Sequence, residues 1–66
     1  MLRVMVDRVT RHIEVFSHEA LIGTASVAND AQLRLFRALV EGGTAPAPAA
    51  EMSGAIYSPV ATDRAH

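Results

Sequence analysis

The sequence predicts an all-α module, a hairpin of two helices at about 7–22 and 30–41 that is completed by self-association or by a partner chain. Three observations point there. Leu2, Met5, Val6, Val9, Ile13, Phe16 and Ala20 gather on one side of a helical wheel, with Arg3, Asp7, Arg8, Arg11, Glu14, His18 and Glu19 outside it. Asn29 stands as an N-cap, with Gln32 three residues on in a capping-box arrangement. No proline interrupts the first forty-one residues, and Gly23 is the only glycine among them.

The second helix carries the clearer signals. Asp30 puts an acid in the first turn, where the macrodipole favours it. Ala31 to Glu41 is built of strong helix formers, and Gly42 is expected to supply a left-handed stop. Asp30/Arg34 and Arg37/Glu41 are i,i+4 opposite-charge pairs, each worth about 0.2–0.5 kcal/mol. Leu33, Phe36, Leu39 and Val40 belong to an apolar arc wider than one neighbouring helix can cover. More than one surface should pack there.

The N-terminal half supports two readings. As a helix, it would be capped by Asp7, start at Arg8 and end at Gly23. As strands, Leu2/Val4/Val6 and Val9/Ile13/Val15 alternate, but the phase slips at Asp7-Arg8. A tight hairpin there would lack glycine, and Arg11 would point inward. Six β-branched residues between Val4 and Val15 weaken the helix. The alternative fold is therefore a small α+β unit, with two or three strands from 2–27 and one helix at 30–41.

Beyond Gly42-Gly43 the composition changes. Residues 1–43 read as a compact interaction module and 44–50 as an Ala/Pro linker favouring polyproline II. Residues 51–66 read as an extended tail peptide in which Ile56 and Tyr57 dock against another chain.

Composition excludes several functions. With 66 residues, six Arg, no Lys and seven acids, the net charge is −1, which is no signature of binding to nucleic acid or anionic membrane. The absence of Cys removes disulfides, zinc knuckles and thiol chemistry. Arg without Lys, beside twelve Ala, reads as the codon usage of a GC-rich bacterial or phage genome. No apolar run is long enough to span a bilayer, and the start is not a secretory signal, so a cytoplasmic protein is expected.

No residue set predicts catalysis. His12 and Glu14 would share a face on a strand but not on a helix, and a metal site needs three or four convergent ligands. Ser17-His18-Glu19 are adjacent, and adjacent side chains point apart. No enzymatic activity, cofactor or metal is expected. Arg3, Arg8 and Arg11 are interrupted by Asp7 and Glu14, which disfavours a nucleic-acid reader; a small DNA-binding regulator stays an alternative. Leu39-Val40-Glu41-Gly42-Gly43 resembles the leader end of double-glycine-processed secreted peptides, and that resemblance implies a precursor cleaved after Gly43.

The expected function is that of a small non-catalytic accessory subunit or regulator that binds a larger protein or itself. The apolar inventory is small against the cost of ordering the chain, so a neighbour should supply the rest. Leu33, Phe36, Leu39 and Val40, with Val9, Ile13 and Phe16, are the expected partner-binding residues, joined by Ile56 and Tyr57 from the tail.

Overall fold

The computed structural model describes residues 2–60. His66 and the rest of 61–66 lie outside the described residues. The chain forms three strands, β1 (Leu2–Asp7), β2 (His12–Ser17) and β3 (Ala20–Ser26), then helices α1 (Asp30–Glu41) and α2 (Pro46–Ser53), and a last strand β4 (Ile56–Pro59). The strands make one antiparallel sheet in the order β1-β2-β3-β4. Both helices pack on one face of it. The architecture is α+β, which overturns the helical hairpin and agrees with the alternative reading.

The reason for the correction is visible in the first hairpin. The break in phase at Asp7-Arg8 is a four-residue turn. Asp7 Oδ1 accepts from the N–H groups of Val9 at 3.0 Å and Thr10 at 3.4 Å. Thr10 Oγ1 accepts from His12 N–H at 3.3 Å. Arg11 closes the turn in the left-handed region, with φ of 57°. It sits in the turn and does not point into the core, and the hairpin forms without glycine because side-chain acceptors hold the backbone. The helical stripe was a coincidence of spacing. Of its members, Leu2, Val6 and Ile13 lie on the inner side of the sheet, Met5 and Phe16 on the outer side, and Val9 in the turn.

The register fixes two inner rows, Val4-Val15-Gly23-Pro59 and Val6-Ile13-Ala25-Tyr57. Against them Phe36 and Val40 descend from α1 and Ala49 and Ala50 from α2, closing a core with Val4, Ile13, Val15 and Ala25. Ile13, Val15 and Phe36 are fully buried. β2 is the central support, as its β-branched inner residues fill a pleated, half-buried surface well.

α1 has the expected bounds. Asn29 accepts from Gln32 N–H at 2.9 Å, while Gln32 Oε1 accepts from Ala28 N–H at 2.8 Å, so the reciprocal bond lands one residue before the cap. Arg37 meets Glu41 at 3.4 Å as expected, but Asp30 pairs with Arg11 at 3.5 Å and not with Arg34. The stop also shifts by one residue. Gly42 keeps a right-handed φ of −85°, and Gly43 takes the positive φ of 109°. Gly43 N–H donates to Val40 O at 3.1 Å and Thr44 N–H to Leu39 O at 2.8 Å, the paired bonds of a Schellman motif.

The Ala/Pro segment is helical where an extended linker was expected. Pro46 occupies the first turn of α2, where an N–H would have no partner within the helix, so the missing donor costs nothing there. Ala49, Ala50 and Ser53 form its buried side, and their small volume lets α2 lie close on the sheet. Gly54 ends the helix in the left-handed region, with φ of 87°. The segment after it docks on this chain's own sheet as β4. Cleavage after Gly43 would therefore remove α2 and β4, with Ala49 and Ala50 from the core.

Candidate protein-interaction surface

The sheet has a covered face and an open one. On the open face the register aligns Arg3, Phe16 and Leu21 in one row, Met5, Glu14, Thr24 and Ser58 in the next, and Asp7, His12, Ser26 and Ile56 in the third. The helices are on the other side. Met5 is 52% exposed and Ile56 70%, while Phe16 is half-buried beneath its neighbours. Arg3, Met5, Phe16, His18 and Glu19 border a shallow cleft of about 250 Å³ whose floor is apolar. Met5 sits diagonally from Phe16, a spacing at which a thioether and an aromatic ring make favourable contact.

The two edges of the sheet differ. β4 is four residues long, ends in Pro59, and runs directly into Val60, whose N–H donates to Ile22 O at 3.0 Å. Short length and proline blunt an edge. β1 is six residues long, contains neither proline nor glycine, and among the described residues has no strand beyond it. Its outward N–H and C=O groups form an unpaired row.

A bulge shapes the β3 side. Val15 pairs with Gly23 and Phe16 with Leu21, which leaves Ile22 as the extra residue. Its carbonyl accepts from both Val60 N–H and Tyr57 Oη, the latter at 3.3 Å. The Tyr57 ring lies across Gly23: a Cβ built there would fall 2.1 Å from Tyr57 Oη. Burial of the phenol pushes the Tyr57 pKa up from its ordinary 10.0.

The chain, compared with protein-family models, curated proteins and solved structures, matches none of them. The surface must speak for itself.

The structure distributes the expected partner-binding residues over three settings. Phe36, Val40 and Ile13 are sealed in this chain's own core, with Leu33 and Leu39 packed on its margin. Tyr57 is spent on Gly23 and Ile22. Phe16 and Ile56 face the open side, and Val9, 93% exposed, tips the first turn. Met5 and Leu21 were missed: Met5 takes the open face by strict alternation with Val4 and Val6, whereas Leu21 reaches it only through the bulge at Ile22, which no local pattern in the residues encodes. His12 and Glu14 do share the open face, as a strand requires, but among the described residues no three His, Asp or Glu side chains converge. His18 stands in the second hairpin turn, between Ser17 and Glu19. Among the described residues no helix is long and apolar enough to cross a membrane.

Proposed function

We propose that this chain is a non-catalytic protein-binding subunit that accepts a strand on its β1 edge, from a larger protein or from a second copy. The observation that carries the reading is the unequal treatment of the two edges. β4 is short and proline-ended, whereas β1 is long, unbroken and bordered by Met5 and Phe16 on the open face. Strand addition supplies main-chain hydrogen bonds for affinity, and apolar neighbours such as these give specificity. A strand laid on β1 would also cover part of the Met5 side chain.

Met5→Lys separates folding from binding. Met5 lies directly opposite Glu14, so the new lysine gains a cross-strand ion pair worth about 0.2–1 kcal/mol and the fold is retained. The same charge stands in the middle of the proposed edge, where lysine blocks pairing. Sedimentation velocity from micromolar to millimolar concentration, with co-purification from the source cells, reads the outcome. Wild-type chain should associate with itself or retain a protein that Met5→Lys releases. A wild-type chain that stays monomeric and retains nothing the variant loses contradicts the reading.

A further inference from the structure

We propose that the cleft between the first hairpin turn and the outer flank of α1 binds the phosphoryl group of a small molecule. Arg8, Arg11, Asp30, Leu33, Arg34 and Arg37 line it, and it encloses about 310 Å³. Four of the chain's six cationic side chains meet here, although the whole chain carries a net charge of −1.

The fold builds the cluster from two distant pieces. Arg8 and Arg11 bracket the turn that Asp7 holds. Arg34 and Arg37 are three apart on α1 and so share one face. That face is the one turned from α2, because Gln32, on the opposite flank, lies against Gly54 at the end of α2. Turn and helix thus present guanidinium groups to one cleft from two sides.

The charges are only partly answered. Arg11 meets Asp30 at 3.5 Å and Arg37 meets Glu41 at 3.4 Å. Among the described residues, no acid lies within ion-pair distance of Arg8 or Arg34. Asp30 is the one acid on the lining, so four arginines less one aspartate give the lining itself +3, which Glu41, paired with Arg37 at its margin, reduces to +2. Like charges held together repel, and an anion that binds only the folded chain relieves the repulsion and stabilises it.

Ligand chemistry follows from donor geometry. Guanidinium forks match carboxylate and phosphate bidentately. A carboxylate offers two coplanar oxygens, whereas a phosphoryl group offers three diverging ones and a charge of about −1.5 to −2, which suits donors arriving from two sides. Leu33 adds one apolar wall for the rest of the molecule. A long nucleic acid is a poor fit. Outside the cleft the chain has two arginines against six acids, so flanking phosphates would meet net negative charge.

The test uses the full ¹⁵N-labelled chain at low ionic strength, titrated with inorganic pyrophosphate while the arginine Nε–H signals are followed by NMR. Arg8, Arg11, Arg34 and Arg37 should shift along one saturable curve, Arg3 should not, and the melting temperature should rise. Arg34→Gln, on the exposed helix flank, should weaken binding by about tenfold, and Arg8→Gln with Arg34→Gln by more. Shifts that never saturate, that include Arg3 equally, or that survive both substitutions overturn the proposal. Tighter binding of a single-stranded oligonucleotide than of pyrophosphate overturns the small-molecule assignment.

Discussion

Gly23 and Tyr57 show how one residue's absence of a side chain positions another. Gly23 is buried on β3 with no bulk of its own, and the Tyr57 ring from β4 fills the space above it. Aromatic cover of a strand glycine in this way pins the register between the two strands. Gly23→Ala should force the ring aside and cost about 1–3 kcal/mol in chemical denaturation. In a Tyr57→Ala background the same substitution should cost much less; equal costs in the two backgrounds contradict the packing. Tyr57 also gives the fold an alkaline limit. Its phenol is the only one in the chain, and burial raises its pKa above 10.0. The folded state therefore favours the neutral form, so this contribution is complete below pH 10 and is lost as the pH climbs through the raised folded value. Phenolate absorbance of the native chain should titrate later than that of the urea-unfolded chain. Tyr57→Phe should remove that part of the stability loss above pH 10.

At the scale of elements, turn chemistry decides strand pairing. The first hairpin closes through Asp7 and Thr10, and the second through His18, which sits in the left-handed region with φ of 60°. A side chain at that φ strains the backbone by about 1–2 kcal/mol, and glycine does not. His18→Gly should therefore raise stability by about 0.5–1 kcal/mol, an increase of several degrees in the melting temperature of so short a chain. A fall in melting temperature would show that His18 makes a contact worth more than the strain. α2 illustrates the opposite logic. Its prolines look like helix breakers, yet Pro46 lies where the helix has no use for an N–H, and Ala49 and Ala50 find a core to bury in.

The whole molecule is one layer of strands under one layer of helices, and the chain beyond Gly43 is part of it. Removing residues 44–66 takes away α2, β4 and the cover over Gly23. The shortened chain should lose its cooperative thermal transition by circular dichroism; a sharp melt near that of the full chain would mean that the first three strands and α1 suffice. What residues alone determined is local. α1 was legible from Asn29 to Glu41 because a cap, a first-turn acid and helix formers act within a few residues of one another. The strands were legible only as an alternative. Leu2, Val6 and Ile13 satisfy both periods, whereas Phe16, three residues from Ile13, would share its side on a helix and takes the opposite face once β2 forms. The open face was half visible, in Phe16 and Ile56, and the arginine cleft not at all. Arg8 and Arg11 stand far along the chain from Arg34 and Arg37, and no local pattern encodes a meeting that a turn and a helix make by packing on the same sheet. Near neighbours set conformation by short-range sterics and hydrogen bonds; which surfaces close and which stay open is settled by contacts between segments remote in sequence.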